Sequence, residues 1–269
     1  MMHAVLLPAA AFSGHDLGNA LLRWIHVVAG VMWIGHLYFF NFVNAELAKT
    51  YDADTKKKVI PELMPRALFW FRWGAAYTWI TGVLLLAMLY WAKPYFSASG
   101  TVEAGPAIAA FVIIGLSFLV YDQLSKGLQA QPMLALWIWY ALVLLFVLLI
   151  TKIEYFGASN RAAYVHAGGM LGTAMAANVW MRIWPSQRRI ITAIKNGQAP
   201  DPADPAIAGM RSKHNTFMSV PLIFLMLSVH EAFMGVSFGE PWQWLIGLFV
   251  VGFLATQVLY STATKVKGF

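Results

Sequence analysis

Cysteine is absent from the 269-residue sequence, and charge is scarce, with only 12% of residues Asp, Glu, Lys or Arg. The first absence excludes a disulfide framework, thiolate metal sites, iron–sulfur clusters and the C-x-x-C-H attachment of covalent haem. Any metal or haem must therefore be held by His, Met or oxygen. The second excludes an ordinary water-facing surface, which needs about 25% charged residues. Nucleotide-binding glycine loops, H-E-x-x-H and the nucleophile elbow are missing too.

What is present is apolar: 59% of residues are hydrophobic and the mean hydropathy is +0.62. About 20 apolar residues cross a bilayer as a helix. Seven segments qualify: Leu17 to Asn44, Gly74 to Ala92, Pro106 to Tyr121, Met133 to Thr151, Ala162 to Met181, Thr216 to Phe233 and Trp242 to Ser261. The third is short unless it begins near Val102. With no water to satisfy backbone groups inside a membrane, open strands are excluded. The expectation is an all-α integral membrane protein, one polytopic domain over residues 1–269 with about seven transmembrane helices in the lipid bilayer. Met1 to Asp16 has no basic n-region and too little length for a signal peptide or a span, and reads as a surface tail.

Lys and Arg set the orientation, because short cytoplasmic loops retain them. The connection after the first span holds Lys49, Lys56, Lys57, Lys58, Arg66 and Arg72, and the one after the fifth holds Arg182, Arg188, Arg189, Lys195, Arg211 and Lys213. With Lys126, Lys265 and Lys267, fifteen lie on one side against four (Arg23, Lys93, Lys152 and Arg161) on the other. This places the N-terminus outside and the C-terminus in the cytoplasm, in a bacterial inner membrane. The formal charge of +7 is then a topology signal. It does not point to nucleic acid, because these basic residues flank spans and lack interleaved aromatics on a soluble face.

Residues 185–213 read as a cytoplasmic loop, irregular where Asn196 to Pro205 is rich in Pro and Asp. Tyr51 to Pro65 reads as a polar connection, followed by Trp70, Phe71 and Trp73 at the interface. A faint repeat links Arg23-Trp24-Ile25-His26 to Arg161-Ala162-Ala163-Tyr164-Val165-His166, each opening a helix with Arg and then His.

Ionisable residues inside spans are costly and usually serve a site, which directs attention to the histidines. His3 and His15 fall in the tail. His26, His166 and His230 fall near the outer ends of the first, fifth and sixth spans, while His36 and His214 fall in the cytoplasmic half. His26 and His36, ten residues apart, point about 80° away from each other on an ideal helix. His214 and His230, sixteen apart, are separated by about 24 Å and about 160°. Neither pair shares one ligand plane, so one cofactor near the outer surface, fed by two of His26, His166 and His230, is favoured over a transmembrane chain of two haems. His214 is the second choice.

Two axial imidazoles suit a b-type haem, and three could equally hold zinc or copper. Small neighbours favour a flat ring: Ala29 and Gly30 follow His26 by three and four residues, and Gly169 follows His166 by three. Arg23 and Arg161 would pair with propionates. The plainer alternative is that Gly168 and Gly172 form a helix-packing G-x-x-x-G and that the arginines snorkel. Structural or proton-handling histidines also remain open.

Other features carry less. Met218 and Met226 read as core packing, and Asp122 and Glu154 as solvated charges at span ends. Glu231 beside His230 is placed to fix an imidazole tautomer. Pro221 interrupts the sixth helix.

The run Arg23 to Gly35, then His166 with Gly172-Thr173-Ala174-Met175-Ala176-Ala177-Asn178-Val179, then Pro185-Ser186-Gln187-Arg188, and Arg211-Ser212-Lys213-His214-Asn215-Thr216-Phe217-Met218-Ser219-Val220-Pro221 continuing to His230 resemble the membrane domain of the bacterial cytochrome-linked urate hydroxylases, the urate oxidase N-terminal family. The resemblance covers nearly the whole chain. It marks His26, His166, His214 and His230 as the family-like histidines, and His36 as a residue not expected there. The urate enzymes carry an eighth span and a cytochrome c domain after this region. The present sequence stops at Phe269 with no C-x-x-C-H, so the expectation is that either a separate protein takes the electrons or the function differs. The first span is also similar to the opening helix of the oxygen-independent-type protoporphyrinogen oxidases, with a haem-ligating His there.

Two classes of function follow. One is a haem b redox protein that exchanges electrons with a periplasmic cytochrome c or a quinone, with urate oxidation as its enzymatic version. The other is a structural or assembly subunit of a respiratory complex, or a transporter, whose histidines handle protons or metal.

Overall fold

Asp52 starts the longest helix by accepting the Thr55 N–H at 2.7 Å, which satisfies one of the free donors of a first turn. In the computed structural model, which describes residues 14–93, 95–101, 104–228 and 240–266, this helix, α2, runs Ala53–Leu86 after α1, Gly14–Tyr38. The chain continues through α3 (Ala104–Gly127), α4 (Pro132–Lys152), α5 (Asn160–Asn178), α6 (Trp184–Lys195), α7 (Ala203–Leu227) and α8 (Pro241–Ala263). The described residues are all-α apart from one isolated bridge between Ser97 and Ala158. Seven of these helices are long. Five segments, Gly14–Leu47, Ala53–Trp91, Ala104–Gly127, Pro132–Lys152 and Pro241–Ala263, are long and apolar enough to cross a membrane, which makes this a multi-pass membrane protein.

Two sequence expectations are corrected. Tyr51 to Pro65 is not a loop, because the Asp52 cap starts α2 at Ala53 and the helix continues through Pro61 and Pro65. Residues 185–213 are mostly helical: Pro185 follows directly on the π-helical turn Val179–Ile183 and the helix runs on to Lys195, and α7 begins at Ala203. The irregular part is confined to residues 196–202. Three helices also end in a π-helical turn: Phe39–Asn44 after α1, Ala87–Trp91 after α2 and Val179–Ile183 after α5.

Helix α5 forms the centre because its side chains are small. Ala162, Ala163, Ala167, Gly168, Ala174 and Ala176 are buried, and such residues let neighbouring backbones come close in a membrane. It touches α2, α3, α4, α7 and α8. At Gly168 a Cβ would lie 2.6 Å from Met226 Cε and 3.3 Å from Leu225 Cβ on α7. Helices α1 and α2 form the most extensive pair. There a Cβ on Gly74 would lie 3.0 Å from the Trp33 nitrogen and 3.1 Å from the Ala29 oxygen, so only hydrogen fits. The outward sides of α1 and α8 expose Trp24, Val27, Val31, Val251, Leu254 and Val258, apolar groups that a bilayer would cover.

Among the described residues, the helix ends and connections carrying fourteen of those fifteen basic residues gather at one end of the bundle, where Asn41 bonds Ser212 and Tyr260 and Asp122 bonds Arg182; it is called here the basic end. At the opposite end Lys152 pairs with Glu240 at 2.6 Å, and Ser159 Oγ donates to the Tyr95 carbonyl at 3.0 Å.

Candidate functional site

Between α1, α2, α3, α5 and α7, in the half away from the basic end, lies a cavity of about 270 Å³. Arg23 and His26 of α1 line it, with Thr78 and Gly82 of α2, Tyr90 of the π-turn that follows, Arg161, Gly168, Gly169 and Gly172 of α5, and Met226 of α7. The wall is otherwise apolar apart from Thr173, whose hydroxyl oxygen accepts from Trp79 at 3.1 Å. Arg23, His26, Arg161 and Gly169 of the sequence-derived set therefore meet at one place. Gly30 does not line the cavity; a Cβ there would face Thr78 at 3.9 Å, within the α1–α2 contact.

The hydrogen bonds assign the tautomer of His26. Thr81 donates its one hydroxyl proton to the Tyr77 carbonyl at 2.6 Å, so toward His26 Nδ1, 3.0 Å away, it acts as an acceptor. Nδ1 then carries the ring proton and the neutral imidazole keeps its lone pair on Nε2. This is the arrangement in which an outer partner fixes a metal-ligating histidine.

His166 has the same tautomer for a different reason. Its Nδ1 donates to the Ala162 carbonyl at 2.8 Å, one turn back, and Nε2 is buried without a partner. The ring is fully buried, edge-on to Tyr90 and Phe96 with centroids 5.5 and 5.2 Å away. It is not among the cavity-lining residues. The reason is spacing: His26 follows Arg23 by three residues and His166 follows Arg161 by five, a difference of about 200° around a helix. The histidines also differ in height. His26 packs beside Gly82 and His166 beside Tyr90, about 12 Å further along α2.

His214 differs from both. Nε2 donates to the Pro132 carbonyl at 2.8 Å and Nδ1 accepts from Tyr121 at 2.9 Å, so neither nitrogen is left for a metal. His36 Nδ1 donates to the Met32 carbonyl at 2.7 Å. His230 and Glu231 lie outside the described residues. Among the described residues no three His, Asp or Glu side chains gather as a metal site.

Neither arginine at the cavity has a carboxylate partner among the described residues. Arg23 Nε donates to Asn19 at 2.9 Å, and Arg161 stands 5.3 Å over the Tyr95 ring with a buried, unpartnered Nε. An imidazole with a free lone pair, two guanidiniums without counter-ions among the described residues and four lining glycines, three of them on α5, fit a flat apolar ring bearing anionic groups.

The sequence matches the urate oxidase N-terminal family over residues 13–267, nearly the whole chain. The chain belongs to that family. No curated protein and no solved structure matches it.

This urate oxidase N-terminal chain has a second polar cluster, at the basic end, which sequence reasoning missed. Asp122, read as a solvated charge, is only 4% exposed. Its carboxylate takes both nitrogens of an Arg182 fork, Lys126 at 2.8 Å and Arg211 at 2.9 Å. Arg211, 1% exposed, also donates to Asn178 at 3.3 Å. Asn178 in turn donates to Tyr121 at 3.0 Å and to Asn215 at 2.8 Å. His214 belongs to this network. Glu154 is exposed, as expected.

Other residues overlooked in the sequence are Gly82 and Tyr90. An available signal was the match of Gly82 to Gly74, two turns apart on one face of α2. For Tyr90 there was none, since its direction depends on the π-turn.

Proposed function

We propose that this family member is a redox module of the bacterial inner membrane that holds a b-type haem in the cavity, with the N-terminus outside. His26 would ligate the iron through Nε2, and His230 is the remaining candidate for the second imidazole, since His166 is turned out of the cavity. Arg23 and Arg161 would take the propionates, and Gly168, Gly169 and Gly172 leave room for the ring. The enclosed space is slightly under the ~300–1,000 Å³ of typical ligand pockets. A macrocycle would therefore also use the side bordered by Val27 and Leu227, both exposed toward lipid.

When bound, haem supplies one-electron chemistry. The chain's own residues hold the imidazole tautomer through Thr81, neutralise the anionic substituents and exclude water with apolar side chains. Electrons would pass to a cytochrome c or a quinone, with urate as the candidate donor that family membership supports.

The observation that carries this reading is the meeting of Arg23, His26 and Arg161, all without acidic partners among the described residues, around one largely apolar cavity. A pyridine haemochrome assay with metal analysis on the purified protein tests it. The expected result is haem b with a dithionite-reduced spectrum; a colourless preparation after expression with ample iron defeats it. Reduction of the haem by urate marks an enzyme, whereas haem that ignores urate leaves an electron-transfer subunit.

A further inference from the structure

The cavity's unsatisfied groups share one property. Trp33 Nε1 and Arg161 Nε are the buried polar atoms without partners among its lining residues, and both can only donate. Tyr90 adds a third donor. It is 3% exposed and lines the cavity together with Arg23 and Arg161. A guanidinium accepts nothing, so beside two arginines the phenol proton remains to be given to a guest. The π-turn Ala87–Trp91 holds this side chain inward.

We infer that Arg23, Arg161 and Tyr90 form an oxyanion receptor at the head of the cavity, with Tyr90 donating the third hydrogen bond. The ligand class is an amphiphile with a carboxylate or phosphate head and an apolar body. Two guanidiniums with no carboxylate partner among the described residues favour an anion by charge, and their planar forks suit two oxygens at once. Val27 and Leu227 border the cavity where they face lipid, so such a molecule enters sideways from the bilayer. The inference rests on the same cavity as the haem reading and assigns Tyr90 a role that reading does not need.

The test compares radiolabelled undecanoate, undecyl phosphate and methyl undecanoate binding to the full chain in phosphatidylcholine nanodiscs, with empty nanodiscs subtracted. Haemin and haemin dimethyl ester, read by their Soret shift, form a parallel arm. At least one of the two anions should bind about tenfold or more tighter than the neutral ester, as expected for charge-assisted bonds, and the tighter anion identifies the head group. Tyr90→Phe, which keeps the ring against His166, should shrink that preference roughly three- to tenfold. Arg161→Gln should abolish it, and Arg161→Lys should restore part of it.

Equal binding of anions and ester by the unaltered protein, or an unchanged preference in Tyr90→Phe, overturns the inference. Haemin binding with no advantage over its diester also overturns it while leaving the haem reading intact. A preference for the amphiphilic anion with no haemin binding does the reverse.

Discussion

Gly82 presses on His26 from the neighbouring helix: a Cβ at this position would stand 3.2 Å from Cε1 of the imidazole and 3.6 Å from Nδ1. The ring is thus held between the Thr81 hydroxyl and a helix surface without a side chain. Gly82→Ala should push the imidazole away from Thr81 while leaving the α1–α2 pair assembled. The expected outcome is a shifted or weakened reduced-haem spectrum with the thermal transition lowered by only a few degrees. An unchanged spectrum would show that the iron does not depend on His26.

The half-buried His26 and the buried His166 and His214 should separate by which ring nitrogen is left free. His26→Ala should remove most of the haem signal, and His166→Ala should at most shift it, because that ring is turned out of the cavity. His214→Ala should leave the spectrum in place, because both its nitrogens are already bonded to Tyr121 and Pro132. Loss of haem in His214→Ala alone would move the site to the basic end.

Gly74→Ala places a methyl group against the backbone of Trp33, which cannot swing aside as a flexible side chain can. A destabilisation of roughly 1–3 kcal/mol is expected for such overpacking. Thermal unfolding in detergent, followed by tryptophan emission, measures it. Gly35→Ala, where a Cβ meets nothing within 4 Å, is the control and should be near neutral.

Asp122→Asn leaves the buried Arg211 without its counter-ion. Breaking a buried pair from one side costs about 3–5 kcal/mol, so this variant should be among the least stable. Replacing Asp204 should cost less, because its partner Arg189 is largely exposed. Comparison of the two midpoints in one detergent checks the ranking.

Asp204 also predicts a pH dependence. Hydrogen bonds from Arg189 hold its carboxyl below the ordinary carboxylate range. A depressed folded-state value contributes stability that is present above about pH 4 and lost as the pH falls through the folded value. The stability of the unaltered protein should therefore decline more steeply in acid than that of Asp204→Asn. Parallel acid profiles would remove Asp204 from the account.

Much of the architecture was legible because the membrane simplifies the reading: apolar runs must become helices, and basic connections gather at one end. The segments also gave the helix centres well. They failed at the ends, where an Asp52 cap and a helical Pro185 extend structure into polar sequence that no hydropathy pattern marks. At the cavity, Arg23, His26, Arg161 and Gly169 were visible through their position within spans. Tyr90 was hidden, because a π-turn shifts the helical register and leaves no trace in composition. Asp122 was hidden because two of its three cations come from elsewhere in the fold, Arg211 from α7 and Arg182 from the π-turn after α5, while only Lys126 lies one turn along its own helix.

Helix α1 is joined to α7 by Tyr38 to Ser219 at 2.9 Å and Asn41 to Ser212 at 2.8 Å, both toward the basic end. Higher up, the cavity separates α1 from α5, while α2 stays tied to α5 beside the cavity, where Trp79 donates to Thr173 at 3.1 Å. Helix α1 is therefore anchored to α7 from below and lies against α2 along its length. A guest bulkier than the enclosed space can be admitted by outward movement of the upper half of α1, with the anchored lower half left undisturbed.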